Sequence, residues 1–330
     1  VRISVPTRIC DLGGWTDTWF AVHGSVCHLA VWPGIDVELT QGTGEQGVTV
    51  HVGAFARDWH WRPGSPPAHY PDPLLAATLD EAQPPANVPV VLQVTAGVPA
   101  GASMGTSAAT CVAVLSAFDA MAGRTRPVAE QVARAHRVET ERLGWQSGVQ
   151  DQWAAAPGAV HLIDVRNYPH ATCRTVPLTD RTATALNDTL LVIWLGRGHS
   201  STAVHEQVVA ALRDAGPADD RLETLRRLAR EGAAALERAD LDAYGACLSR
   251  NTEAQRRLHP ALVSDLAQRV IDLAADAGAR GWKINGAGGD GGTVSVLCAD
   301  RGQRDRLATV VPLTLPPTRV LPVTLHRAPD

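Results

Sequence analysis

The chain has 330 residues, with 30 Lys and Arg against 34 Asp and Glu, a formal net charge of −4 and charges that are mixed rather than gathered in blocks. That balance excludes nucleic acid or an anionic membrane as the main partner, and no stretch approaches the roughly 20 apolar residues of a membrane span. The length allows a large core divided between two packed lobes.

Six cysteines (Cys10, Cys27, Cys111, Cys173, Cys247 and Cys298) are scattered without a Cys-x-x-Cys pair. This pattern predicts buried free thiols in a reducing compartment, the cytoplasm, rather than a disulfide frame or a zinc site. The N-terminal segment does not read as a signal peptide, and a chain beginning at Val1 is read as having lost its initiator Met. Lys283 is the only lysine among cations that are otherwise arginine. Nothing in the sequence separates a monomer from a homodimer.

Val1 to Val5 alternates as an opening strand does. It leads into Pro6-Thr7-Arg8-Ile9-Cys10-Asp11-Leu12-Gly13-Gly14-Trp15-Thr16-Asp17-Thr18. Charges beside paired glycines and a Trp suit a small polar ligand. A carboxylate accepts hydrogen bonds from vicinal hydroxyls, an Arg donates to oxygens, and an indole packs on a sugar face. The plainer reading is a Gly13-Gly14 turn with a surface Arg–Asp pair. Gly24 to Val31 reads as the next strand, and residues 35–62 as two or three strands with glycine turns at 42–47. Residues 57–73 form a loop rich in Pro, with Trp59, Trp61 and Tyr70.

Val90 to Val94 reads as a strand, and Thr110 to Phe118 carries apolar residues at helical spacing. Between them lies Val98-Pro99-Ala100-Gly101-Ala102-Ser103-Met104-Gly105-Thr106-Ser107-Ala108-Ala109. A loop of small residues thus opens directly into a helix, whose first N–H groups and positive dipole end suit a phosphate chain. The alternative is a capped helix with a small packing face. The stretch is neither a P-loop, since no Gly-Lys-Ser/Thr follows, nor a dinucleotide fingerprint.

Pro127 starts a second helix, predicted to about Leu143, carrying Arg134, His136, Arg137, Glu139 and Glu141. Gly144-Trp145-Gln146-Ser147-Gly148-Val149-Gln150-Asp151-Gln152-Trp153 follows. Strands are predicted over 160–165 and 190–195, separated by a Pro-containing loop. At the junction Gly196 to His205, His199 and Ser200 stand where substrate contact or a helix cap is possible. Helices are predicted over 200–214, 219–238, 240–257 and 260–277. Then come a strand, the glycine cluster Gly286 to Gly292 and a second strand, a helix near 302–309, and a strand near 319–325.

The small-residue loop resembles the phosphate-binding motif of the GHMP kinases, Pro-x-Gly-Ser-Gly-Leu-Gly-Ser-Ser-Ala-Ala. Pro99, Gly101, Gly105, Ser107, Ala108 and Ala109 match it, Met104 and Thr106 are conservative replacements, and Ser103 stands where Gly is usual. Pro6 to Thr18 resembles the substrate motif of GHMP sugar kinases. Its Gly-Gly-Trp-Thr-Asp-Thr wording is closest to the fucokinase and heptose-phosphate kinase branch, where galactokinases carry Gly-Glu-His-Thr-Asp-Tyr. Gly144 to Ala155 resembles the family's Gly-x-x-Asp-Gln segment, and Gly286 to Gly292 its C-terminal glycine motif, interrupted by Asp290.

The resemblance implies an α+β, two-lobed GHMP kinase fold. A ribosomal protein S5 domain 2-like lobe would span residues 1–165 and a ferredoxin-like lobe residues 166–330, with the site in the cleft. It implies ATP and Mg2+ as cofactors, with Pro99, Gly101, Ala102, Ser103, Met104, Gly105, Thr106 and Ser107 at the nucleotide. Ser107 and Glu139 would hold the metal, with Glu141 as the second candidate. Asp151 would accept or orient the reacting hydroxyl and Arg8 would lie by the transferred phosphoryl group. Asp17, with Gly14, Trp15 and Thr16, would bind substrate, and Gly286, Gly288 and Gly289 would approach the phosphate loop.

An adenine pocket near the 57–73 loop would use Trp59 or Trp61. The implied reaction is phosphorylation of a sugar or sugar phosphate at the anomeric hydroxyl, on a heptose 7-phosphate or a fucose-like sugar. A phosphorylated substrate would call for further cations such as Arg57 or Arg197. The alternatives are a kinase of a non-sugar alcohol such as a cyclitol, and a degenerate member that only binds ligand.

Overall fold

The computed structural model describes residues 1–53, 55–85, 87–198, 201–212 and 216–327. The first strand, β1 (Arg2–Leu12), pairs antiparallel along β2 (Gly24–Gln41), an 18-residue strand around which the larger sheet is built. Gly34 lies midway along β2, where a Cβ would sit 1.9 Å from the Val5 carbonyl oxygen; only glycine lets the two strands stay paired there. Beyond that point come β3 (Gly47–Val52), β4 (Phe55–Trp61), α1 (Pro73–Ala82) and β5 (Pro89–Ala96). On the side of β2 away from β1, β5 pairs with residues 35–41.

Next comes α2 (Thr106–Met121), rich in alanine and buried along most of its length, so it lies close against β1, β2 and α1. The helix α3 (Val128–Arg137) runs into a π-helical turn, Val138–Arg142, where the sequence predicts an unbroken helix to Leu143. After the short α4 (Gln150–Ala155), β6 (Val160–Asn167) pairs with residues 24–29 of β2, and β7 (His170–Thr175) pairs with β6.

The second sheet starts after α5 (Asp180–Thr189), with β8 (Leu190–Trp194). The helices α6 (Ser201–Leu212), α7 (Asp220–Glu237) and α8 (Leu241–Leu258) follow close to their predicted bounds, and α9 (Asp265–Asp276) starts five residues after the predicted 260, where Pro260–Leu262 forms a separate 3-10 turn. Then come β9 (Gly281–Ile284), β10 (Thr293–Leu297), α10 (Arg301–Thr314), β11 (Arg319–Leu321) and β12 (Thr324–Leu325). The order β11-β8-β10-β9 makes a four-stranded antiparallel sheet. The single strand predicted near 319–325 is therefore two. Pro322 separates them, and β12 crosses to pair with β2 in the first sheet.

Four elements are not anticipated by the sequence: α1, α4, β7 and α5. Of these, α5 is polar (Asp-Arg-Thr-Ala-Thr-Ala-Leu-Asn-Asp-Thr) and buries only a narrow stripe of Thr182, Ala183, Leu186 and Thr189. Among the described residues, no helix is long and apolar enough to cross a membrane.

One apolar core joins the two sheets. Leu29 and Val31 of β2 and Val192 of β8 pack in it with Leu228 and Leu236 of α7 and Leu248 of α8. A buried polar network lies beside it. Asp11 and Lys283, both fully buried, stand 3.6 Å apart. The Gly286 N–H donates to Asp11 at 3.0 Å, Lys283 Nζ donates to Gln255 Oε1 at 2.9 Å, and Gln255 Nε2 donates to the Gly286 carbonyl at 3.1 Å. Burial lowers the Lys283 pKa, and Asp11 opposes that shift.

Lys283→Met should leave Asp11 buried without its cation and reduce unfolding free energy in urea by about 3–5 kcal/mol. Adding Asp11→Asn should recover part of that loss. Two single losses that simply add would show the pair to be uncoupled.

Candidate active site

Arg8 of β1, the loop before α2, Glu139 and the segment before α4 converge on a cavity of about 370 Å3. The loop is shaped by alternation. Ala102 and Met104 bury their side chains completely, while Gly101, Ser103 and Gly105 take left-handed backbone at φ 70°, 58° and 72°. Ser103 thus keeps the conformation that favours glycine although it is not one, at a cost of about 1–2 kcal/mol.

The loop is tied from both sheets. The Arg8 N–H donates to the Met104 carbonyl at 3.0 Å, and the Thr293 hydroxyl donates to the Ala102 carbonyl at 2.8 Å. Gly105 precedes α2, and no side chain caps the helix, so its first N–H groups are left for a ligand. A Cβ on Gly105 would lie 3.1 Å from Asp151 Cγ, which brings the helix start and that carboxylate together.

Asp151, on α4 and about a quarter exposed, accepts a hydrogen bond from Arg8 Nε at 2.8 Å. Another guanidinium nitrogen of Arg8 donates to the Ser103 carbonyl. Burial works against the Arg8 charge, but Asp151, then Asp11 and Asp17, outweigh it and the pKa is raised.

Asp17 reaches α4 from far along the chain. One of its oxygens accepts from the N–H groups of Val149 at 2.9 Å and Gln150 at 3.0 Å. Gly148 permits this approach, because a Cβ there would lie 2.1 Å from Asp17 Oδ2. Burial pushes the Asp17 pKa up to about 6; the Gln150 N–H opposes this and Asp151 reinforces it.

Glu139 sits in the π-helical turn, which Arg137 and Arg142 clamp to Glu81 of α1 at 2.9 and 2.6 Å. Its carboxylate accepts from Ser147 Oγ and Gln152 Nε2, both at 2.7 Å. Burial raises its pKa, hydrogen bonds from Ser107 and Ser147 lower it, and Asp151 raises it. A buried carboxylate facing Ser107 and a second carboxylate is a hard-oxygen set that suits Mg2+. Among the described residues, no group of three or more His, Cys, Asp or Glu could hold a metal, so phosphate oxygens and water would have to complete such a site.

The cavity wall therefore brings together Arg8, Trp15, Asp17, Glu139 and Asp151, with Gly101, Ser103 to Ser107 and Gly286. It does not include every predicted residue. The Thr16 hydroxyl donates to the Gly13 carbonyl at 2.8 Å and accepts from the Ser25 N–H, which closes a turn. Gly14 makes room for Asp11: a Cβ there would lie 2.7 Å from that carboxylate. Pro99 lies off the wall, Ala102 is buried beneath it, and Glu141 is exposed. Gly288 and Gly289 pack on Leu262, and only Gly286 reaches Ser103.

Trp61 is buried in the core and donates to Asp80 at 3.2 Å; Trp59 packs on Tyr70 with ring centres 5.1 Å apart. Neither lines the cavity. Asp290 pairs with Arg197 at an exposed site. His199, Ser200 and the Arg57 side chain lie outside the described residues. Trp145, Gln146, Ser147 and Gln150 also line the cavity and were not singled out. Their signal was proximity to Asp151 within one short segment.

Residues 74–159 match the family model described as the GHMP kinases N terminal domain. None of the curated protein sequences compared with the chain matches it. Solved structures match over nearly the whole length. The mevalonate kinase of Methanococcus jannaschii is 14% identical with a TM-score of 0.79, covering 99% of this chain and 98% of its own. A D-glycero-D-manno-heptose 1-phosphate kinase from Bacteriodes thetaiotaomicron is 15% identical with a TM-score of 0.74, covering 98% and 95%. The Streptococcus pneumoniae phosphomevalonate kinase, in complex with phosphomevalonate and AMPPNP, is 13% identical with a TM-score of 0.73, covering 99% and 98%. Residues 74–159 thus match the GHMP kinases N terminal domain, and the chain as a whole has the fold of these kinases.

Proposed function

We propose that the protein is an ATP- and Mg2+-dependent sugar kinase that transfers the γ-phosphoryl group to a hydroxyl, the anomeric one on the likeness of Gly13 to Thr18 to the fucokinase and heptose kinase branch. The observation that carries this reading is the Arg8–Asp151 pair beside the uncapped start of α2, with Ser107 and Glu139 in the same cavity. The phosphomevalonate kinase bound to AMPPNP has the same fold, which supports a triphosphate as the donor. The free cysteines suit a cytoplasmic enzyme.

In this reading the N–H groups at the start of α2 receive the phosphate oxygens. Ser107 and Glu139 would hold Mg2+, which when bound neutralises phosphate charge. Asp17 accepts hydrogen bonds from sugar hydroxyls. Asp151, oriented by Arg8, takes the proton of the attacking hydroxyl as its oxygen bonds to phosphorus and the bond to ADP breaks. Arg8, held at the Ser103 carbonyl, sets a positive charge beside the transferred group.

The first test is ADP release with Mg2+-ATP against free sugars, sugar phosphates and cyclitols. Turnover with a sugar supports the reading; turnover confined to non-sugar alcohols refutes the sugar assignment. Asp151→Asn should lower kcat by at least about 100-fold while AMPPNP still binds, and near-full turnover would remove Asp151 from the chemistry.

Asp17 provides a pH test. Its carboxylate is lost as pH falls through about 6, so kcat/KM for the sugar should decline there while AMPPNP affinity holds. Stability moves the other way. Because the folded pKa lies above 3.8, the group's contribution is full below about pH 4 and is lost as pH rises through about 6. Asp17→Asn should flatten the acid limb and raise Tm at about pH 8 but not at about pH 4. An unchanged acid limb would assign it to another group.

A further inference from the structure

The π-helical turn that carries Glu139 is held from outside the cavity. Arg137 stands just before the turn, and Arg142 is its last residue. Arg137 donates to Glu81 Oε1 at 2.9 Å, while Arg142 donates to Glu81 Oε2 from Nε at 3.0 Å and from a terminal nitrogen at 2.6 Å. One carboxylate thus grips both ends of the turn, one oxygen for each. In an α-helix, residues five apart lie about 140° apart around the axis and point to different sides. Here both arginines meet one side chain because the backbone between them is wound wider.

Glu81 is itself a fixed point. It lies near the end of α1 with its side chain mostly buried. Arg134, buried on α3, donates to the Glu81 carbonyl at 2.9 Å and also pairs with Asp119 of α2. Burial works against the Glu81 charge, but Arg142 and Arg137 outweigh it and lower the pKa. On the cavity side, the Trp145 N–H donates to the Glu139 carbonyl at 2.8 Å, and Ser147 Oγ and Gln152 Nε2 both donate to Glu139 Oε2. Those last two bonds orient the carboxylate. The Glu81 clamp sets where its backbone stands.

We propose that Glu81 is a positioning residue for Glu139, acting through Arg137 and Arg142 to hold the wide turn, and that the Mg2+ affinity of the site depends on this clamp. This rests on the kinase reading above and deepens its metal site. Glu81 is not on the cavity wall, so it acts only through the turn. Mg2+ demands nearly ideal octahedral geometry, which makes the placement of a ligand count. The sign of the effect separates position from charge. Removing an arginine takes positive charge away from the site, which by Coulomb attraction alone favours Mg2+. Loss of position has the opposite result, weaker Mg2+ binding.

The test measures AMPPNP affinity by calorimetry as Mg2+ is titrated, with backbone hydrogen exchange of residues 138–145 followed alongside. Arg142→Met, at an exposed side chain, should raise the Mg2+ concentration for half-maximal enhancement of binding by about tenfold, as loss of an outer-shell partner does. AMPPNP affinity without Mg2+ should stay unchanged, and exchange in the turn should quicken. Arg142→Lys, which keeps the charge and a donor, should restore part of the Mg2+ affinity. Arg124→Met removes a partner of Asp119 in the same charged patch and should change neither readout.

An Arg142→Met variant whose Mg2+ dependence is unchanged or tightened overturns the proposal, even where exchange quickens. So does an Arg124→Met variant that weakens Mg2+ binding equally. If Arg142→Met does not fold, Arg137→Met at the other end of the clamp decides by the same readouts. Wild-type AMPPNP binding indifferent to Mg2+ refutes the metal reading itself, and the proposal falls with it. A Mg2+-dependent wild type with an unaltered variant refutes the clamp alone.

Discussion

The structure depends on one buried interaction, the contact of Asp11 with Lys283 and the Gly286 N–H. Asp11 lies near the end of the strand that carries Arg8, Lys283 lies on β9, and Gly286 opens the glycine turn beside Ser103. The two sheets are thus joined at the cavity by a charge pair with no access to water. Such a pair is weak evidence of net stability, because desolvation offsets most of the Coulomb attraction. Its consequence is geometric: Gln255 and Asn251 of α8 complete the network, and Asn251 accepts the Gly13 N–H at 2.8 Å. The turn that launches Trp15 and Asp17 is thereby held in register with the glycine loop.

A second constraint acts on the loop before α2. Asn285 accepts the Cys10 N–H at 2.9 Å and donates to Thr293 at 3.0 Å, and Thr293 in turn donates to the Ala102 carbonyl. The loop is therefore fixed by hydrogen bonds from both sheets before any ligand arrives. With its peptide groups held this way, Ser103 can remain in a backbone conformation that disfavours a side chain. Preorganised donors of this kind do not have to reorganise when charge develops on a transferred group.

Much of this could be read from the sequence where the physics is local. A run of small residues opening into an apolar helix announces an uncapped helix start, and glycine clusters mark close backbone approach. Arg8, Asp17, Ser107, Glu139 and Asp151 do meet in one cavity. Elements whose signal depends on partners were not legible. The polar α5 is held by a few buried side chains, β7 exists because β6 offers it an edge, and β12 leaves its neighbour to pair with β2. The same holds within the site: Thr16 sits in the substrate motif but its hydroxyl closes a turn with Gly13 and Ser25. Only the fold shows which oxygen has a partner.

Two helix starts, those of α2 and α4, face the same cavity, and they differ in one respect. The first N–H groups of α4 are satisfied by Asp17, while α2 has no side-chain cap. The partial positive charge at α4 is thus already neutralised by a carboxylate from β1's following turn, and the charge at α2 is left available. An anionic chain is attracted to one end of the cavity, and hydrogen-bond donors are attracted to the other. Asp151 and Arg8 stand between the two. The difference between the two ends of the cavity therefore follows from which helix the chain caps with its own acid.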